Sequence, residues 1–259
     1  MEPLHDSWQA ITLAEQEGRL TKFQLPIEQP IRMHWAPDLH FPFHNADVVA
    51  YIIDICRGCD IIGQIGDGLE AYGVSGHEKD PAVKHTLNDE AVMYREKFWL
   101  PIRRHNPNAR LIQLYGNHEE RIDRHVRKQS PALYDLPGHT LQDLIKADEY
   151  NIEVHPSSGL LIAGRRFKHG DIARQLGSAR GEMIKHRKDG VSGHTHRCEH
   201  ETIIDAEGYR TDWYSIGHAT RPELLAYLKG KIPNWQLSGG ITFTIYPDGR
   251  TDIQEHRLD

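Results

Sequence analysis

The sequence is short of cysteine, of long apolar runs and of positive charge, and each shortage removes a class of protein. Three cysteines, Cys56, Cys59 and Cys198, cannot build a closed disulfide framework. Cys56 and Cys59 have redox-pair spacing, but with no second pair they read as reduced thiols closing a helix ahead of a strand. The longest apolar run, near Val48 to Ile53, falls far short of the ~20 residues that cross a bilayer. Met1 to Asp6 lacks the basic and then apolar pattern of a secretory leader, so a soluble, cytoplasmic protein is expected. With 31 Lys and Arg against 37 Asp and Glu, the net charge of −6 argues against a general nucleic-acid coat protein. It leaves room for chemistry on phosphates, where metals supply positive charge locally. Internal repeats and low-complexity stretches are missing as well.

What remains is ordinary bulk and unusual detail. The 259 residues suit one large domain or two small ones, with 38% hydrophobic and 26% charged residues. Histidine, at 18 residues, is the unusual count and directs attention to metal ligation. Residues 1–30 stand apart as an N-terminal helical extension. There Ser7 caps a helix through Trp8, Ile11 and Leu13 to Gly18, and Pro26 and Pro30 break the chain.

Residues 31–259 read as one domain. Strands are predicted over 31–36, 60–65 and 110–115, with helices over 45–58, 85–105, 119–128 and 141–147. Strand, helix and strand in that order predict a parallel sheet. Beyond residue 150 the pattern turns to short strands: 152–155, 160–163, 166–169, 189–192, 199–204 and 209–216, with one helix over 178–187. A final hairpin, 241–246 and 251–255, turns at Pro247 to Arg250. Two packed sheets with helices outside are expected.

Chemistry gathers at strand ends. Asp38 and His40 sit two residues apart just past Pro37, so both side chains can reach one ion. Asp67 ends the next strand between glycines that allow close approach, which suits a carboxylate bridging two ions. Asn117 offers a neutral carbonyl oxygen, and His169, His194 and His196 offer imidazoles. Seven ligands for two ions leave positions for water and substrate, as a catalytic site requires. His118 follows a ligand directly and is placed to protonate a leaving group as general acid, with Glu70 as its orienting carboxylate. His218 and Arg121 are candidate substrate contacts. Arg121 belongs to a loosely basic neighbourhood with Arg103, Arg104, Arg124, Arg127 and Lys128, whose default reading is a solvated helix face and whose alternative is a phosphate-tracking groove for nucleic acid.

Asp-x-His, Gly-Asp-x-x-Glu, Gly-Asn-His-Glu, an isolated His-Gly and Gly-His-Thr-His occur in this order over residues 38–196. As a set they resemble the calcineurin-like metallophosphoesterase superfamily. The resemblance implies an α/β fold, a four-layer α/β/β/α sandwich of two mixed β-sheets flanked by helices. It also implies that Asp38, His40, Asp67 and His196 hold one divalent ion. Asp67, Asn117, His169 and His194 would hold a second, with a hydroxide bridging the two. Manganese is the expected metal, with iron, zinc, nickel, cobalt and magnesium as alternatives. Glu70 departs from the superfamily, which usually carries aspartate there. Ala71, Tyr72 and Tyr115 stand near where the related protein phosphatases grip phosphate with arginine. The stretch Val74 to Pro81 is similar to phosphoesterases encoded by bacteriophages, which would place the protein in the host cytoplasm.

The activity expected is phosphodiester hydrolysis, nucleotide or nucleic-acid in type, by attack of the metal-bridging hydroxide. Phosphomonoester hydrolysis, nucleotide pyrophosphate hydrolysis and a non-catalytic metal-stabilised scaffold are the alternatives.

Overall fold

Alternation along the first strand sets up the layers. In β1 (Ile31–Ala36), Ile31, Met33 and Trp35 point to one face of a sheet, and Ala36 points to the other. The computed structural model describes residues 28–76, 83–225, 228 and 234–258. The predicted helix over 8–18 and the stretch 77–82 lie outside these.

The first sheet has six strands in the order β11-β10-β1-β2-β3-β4, where β2 is Ile61–Gln64, β3 Arg110–Leu114, β4 Ile152–His155, β10 Ser238–Ile245 and β11 Thr251–Arg257. β1 to β4 run parallel, and β10 and β11 add as an antiparallel edge. The second sheet has the order β5-β6-β7-β9-β8, with β5 Leu160–Ile162, β6 Arg165–Lys168, β7 Gly190–Ser192, β8 Cys198–Ile204 and β9 Arg210–Ile216. Its central strands β6, β7 and β9 are parallel, and its edges are antiparallel.

Three apolar clusters cement four layers. Between the sheets, Met33, Trp35, Ile112 and Phe243 meet Phe167, Val191 and Tyr214, and Trp35 stacks on Phe167 with ring centroids 4.3 Å apart. Outside the first sheet, α1 (Ala46–Ile55) and a helical run over 87–105 bury Val48, Ile52, Phe98, Trp99 and Ile102. Outside the second sheet a helix at Ser178–His186 sets Ala179 and Met183 on Trp213. This α/β/β/α sandwich with two mixed sheets is the architecture that the resemblance implies. Among the described residues no helix is long and apolar enough to cross a membrane.

The run over 87–105, expected as one helix, is divided in three. It comprises α2 (Leu87–Tyr94), a π-turn at Arg95–Trp99 and α3 (Leu100–His105). Pro101 explains the division. It has no N–H to donate, and its ring crowds the carbonyl one turn earlier, so the preceding turn widens. Cys56 caps α1, and all three cysteines are free and buried. At the end of the sandwich where β6, β7 and β9 begin, the sheets part around a cavity of about 930 Å³. The β10–β11 hairpin closes its far side.

Candidate metal centre

The opposite end, where the parallel strands of both sheets finish, carries every predicted ligand. Asp38 and His40 follow β1, Asp67 and Glu70 follow β2, and Asn117 and His118 follow β3. His169 follows β6, and His194 and His196 follow β7. In open α/β sheets this carboxyl end is where ligands bind.

Backbone contacts lock the loops before any side chain acts. The N–H groups of Leu39 and His40 both donate to the Asp67 carbonyl, at 3.0 and 2.9 Å. Glu119 is wholly buried and accepts from the N–H groups of Asp67, Leu69 and Gly116 at 3.0, 2.9 and 2.8 Å. Beneath them, Tyr94 donates to Gln113 at 2.5 Å, Gln113 to Gln64 at 2.7 Å, and Gln64 to the Pro37 carbonyl at 3.1 Å. His40, Asp67, His194 and His196 all have left-handed backbones, with φ of 52°, 55°, 69° and 57°. Such conformations cost roughly 1 kcal/mol or more each and persist where surrounding structure imposes them. Gly116 and Gly193 allow the close approach: a Cβ there would lie 2.1 Å from Asp67 Oδ1 and 2.2 Å from Asp38 Oδ1.

The side chains form two ligand groups that share Asp67. In the first, His40 Nε2 faces His196 Nε2 at 3.0 Å, and His196 Nε2 lies 3.1 Å from Asp38 Oδ2. Asp67 Oδ2 is 3.8 Å from His40 Nε2. In the second, His169 Nε2 lies 3.4 Å from the same Asp67 oxygen. Asn117 Oδ1 is 3.0 Å from His169 Nε2 and 2.8 Å from His194 Nδ1. The donor set fits cations: two imidazole nitrogens face one another across a buried pocket, and Asp38 Oδ1 has no hydrogen-bond partner. The other ring nitrogens are oriented from outside. His169 Nδ1 donates to the Ile65 carbonyl at 3.2 Å and His40 Nδ1 to Glu70 Oε2 at 2.8 Å, leaving each Nε2 free as a ligand.

The electrostatics agree. Burial raises the Asp67 carboxyl, but His118 and His169 outweigh it and hold the group well below its usual range. Burial, followed by the neighbouring His40, pushes His196 well below its ordinary value, so its ring stays neutral and its lone pair available. For His118, burial favours the neutral ring, yet Asp67 and Glu70 prevail and raise its pKa.

His118 belongs to neither Asp67 group; it clusters with His40 and Glu70. Its backbone N–H donates to Asp67 Oδ1 at 2.9 Å. Its Nδ1 lies 3.0 Å from the Glu70 carbonyl oxygen and 3.3 Å from Glu70 Oε2. The Glu70 carboxylate therefore lies nearer His40 than His118. Arg121 reaches His118 Nε2 at 2.7 Å. His218 is 3% exposed and sits behind His196, with ring centroids 5.5 Å apart; its Nδ1 accepts from Thr220 N–H at 3.1 Å. Burial, then His196, lowers its pKa to about 3.

Sequence reasoning missed Glu119, Gln64 and Gln113 as supports of the site. A signal existed: Gln64 and Gln113 are polar residues in two apolar strand runs and pair at the same register.

No family model matches the chain. It is 26% identical over 140 residues to the Gene 54 protein of Mycobacterium phage L5, a match covering 50% of this chain and 54% of that protein. The chain thus spans about half the length of the curated relative it matches. Among solved structures it is similar to a conserved uncharacterized protein (predicted phosphoesterase) from Streptococcus pneumoniae TIGR4. That match has 11% identity and a TM-score of 0.35, covering 89% of this chain and 100% of that one. Chaetomium thermophilum Vps29 matches at 12% identity and a TM-score of 0.38, over 88% of this chain and 97% of that one.

Proposed function

We propose that this chain is a calcineurin-like metallophosphoesterase that hydrolyses phosphodiester bonds of nucleotide or nucleic-acid type with two divalent ions. One observation carries the reading. Asp67 Oδ2 is within reach of both histidine groups, 3.8 Å from His40 and 3.4 Å from His169, while Oδ1 is held by the His118 N–H. A single carboxylate oxygen serving two ligand groups is what a dinuclear site needs.

Asp38, His40, Asp67 and His196 would hold one ion, and Asp67, Asn117, His169 and His194 the other. The mix of imidazole and carboxylate suits manganese, iron or zinc. When bound, such ions neutralise phosphate charge and activate water at neutral pH. The remaining work falls to the protein. His118, whose pKa Asp67 and Glu70 raise, would give its Nε2 proton to the departing oxygen. The Arg121 contact competes with that state, because a protonated Nε2 cannot accept from a guanidinium. A substrate phosphate drawing Arg121 toward itself frees Nε2 to hold the proton.

Arg121 also favours a second reading, a phosphomonoesterase, since a guanidinium beside the acid can grip a terminal phosphate. Turnover of bis-p-nitrophenyl phosphate against p-nitrophenyl phosphate with added manganese separates the two. Preference for the diester is expected, and Asp67→Asn should abolish it with loss of both ions. Turnover of neither ester would turn the assignment to a metal-stabilised scaffold.

A further inference from the structure

The helix leading away from the site is basic in a chain that is acidic overall. α4 (Glu120–Gln129) carries Arg121, Arg124, Arg127 and Lys128 against Glu120 and Asp123, four cations to two anions, whereas the whole chain has 31 to 37. At 3.6 residues per turn, Arg121, Arg124, His125 and Lys128 fall within an arc of about 100°. Ile122, the buried anchor of the helix, lies outside it. The stripe begins at the chemistry, with Arg121 at 2.7 Å from His118 Nε2, and continues outward through exposed Arg124, His125 and Lys128. Arg124, Arg127 and Lys128 also border, with Glu120 and Asp123, a cavity of about 550 Å³.

At the same spacing the two carboxylates, Glu120 and Asp123, fall outside this arc. Glu120 accepts from Ser157 Oγ at 2.5 Å, and its 4.0 Å pair with Arg124 joins solvated groups and holds little. Successive cations are about one helical turn, 5.4 Å, apart, a repeat suited to neighbouring phosphates of one strand. A lone phosphoester would need Arg121 alone; a stripe about two turns long suits a polyanion.

From this, and resting on the phosphodiesterase reading, we infer that α4 is the track for a single-stranded nucleic acid whose backbone passes from the metal centre along Arg121, Arg124 and Lys128. Single strands are favoured by depth. Asp38, His40 and Asp67 are at most 1% exposed, so the scissile phosphate has to descend between the strand ends. A flexible strand can bend into that recess, and a stiff duplex cannot without opening.

The test pairs two measurements on the purified, manganese-loaded protein. One is fluorescence anisotropy of labelled oligo-dT of about 20 nucleotides between 50 and 200 mM salt, using a phosphorothioate backbone to slow cleavage; the other is turnover of bis-p-nitrophenyl phosphate. The double variant Arg124→Ala with Lys128→Ala should weaken oligonucleotide binding roughly tenfold. Its log–log salt slope should flatten by about 1.4, or 0.7 per lost contact. Small-diester turnover should stay within about twofold, because neither residue touches the ligand groups. Unchanged oligonucleotide affinity and slope in the double variant overturn the track while leaving the chemistry standing. Tighter binding of the matching duplex overturns the single-strand assignment. Wild-type protein that binds the oligonucleotide but turns over no diester refutes the phosphodiesterase reading instead.

Discussion

Replacing Glu70 by glutamine tests how the centre is tuned. Glu70 Oε2 accepts from His40 Nδ1 at 2.8 Å, and both residues are at most 1% exposed. A buried hydrogen bond to a charged acceptor contributes about 1.5–3 kcal/mol, against about 1 kcal/mol for a neutral amide acceptor. The difference, roughly 0.5–2 kcal/mol, corresponds to about 2–30-fold in affinity for the ion that His40 Nε2 would bind. This overlaps the range by which outer partners tune metal sites. Glu70 belongs to no group with His169 and His194, so the second ion should change less than about threefold. Glu70→Asp draws the carboxylate back by about 1.5 Å and should fall between wild type and Glu70→Gln. Manganese titration by calorimetry, with metal content measured after dialysis, reads both sites. Equal weakening of the two ions would show that Glu70 acts through Asp67 rather than His40. An unchanged first ion would remove its orienting role there altogether.

Three other perturbations follow from the same geometry. His118→Asn should keep both ions and lower kcat by ~10²–10⁴ for poor leaving groups, with activated aryl esters affected less, as steady-state kinetics on the two ester classes would reveal. Glu119→Gln places an amide N–H₂ against at least one of three buried backbone donors; about 2–3 kcal/mol of lost stability should lower Tm by roughly 5–10 °C in calorimetry. Glu153 receives both Nε and Nη2 of Arg110, at 2.8 and 2.7 Å. Burial raises its pKa, but the His155 and Arg110 hydrogen bonds outweigh this and lower it to about 2. A carboxyl depressed on folding stabilises above its unfolded pKa, so the contribution is full above about pH 4.5 and fades as pH falls toward 2. Solvent screening holds it to about 1 kcal/mol, and urea midpoints of wild type and Glu153→Gln should converge over that window.

The parts of this protein written as short-range pattern were legible in its sequence. Strand β1 showed in its alternation, β2 and β3 in apolar runs ending at glycine, and the hairpin at Asp205 to Gly208 in its turn residues. That the expected ligand residues would come together was legible because they stand just past strand ends, and the fold brings those ends to one place. What could not be read depends on long-range contact. Nothing local in Glu119 announces three backbone donors converging from two loops. Whether Glu70 leans toward His40 or His118 is decided by how β1 and β3 flank β2. The left-handed backbones of Asp67 and the Gly-His-Thr-His loop are likewise imposed by packing, since aspartate and histidine do not require them. The π-turn was half legible: Pro101 was in view, but the expected helix ran through it.

The ligand groups draw on both halves of the sandwich. Asp38, His40, Asp67 and Asn117 stand on the first sheet, and His169, His194 and His196 on the second. Ions held there would act as a clasp across one mouth of the sandwich, while the other mouth stays parted around its cavity of about 930 Å³. A sandwich fastened at one edge behaves like a book held near its spine: a small splay at the free edge changes the spacing at the fastened one very little. Insertions and charge changes in the β10–β11 hairpin, at the free edge, are therefore the ones this architecture can absorb without moving the chemistry.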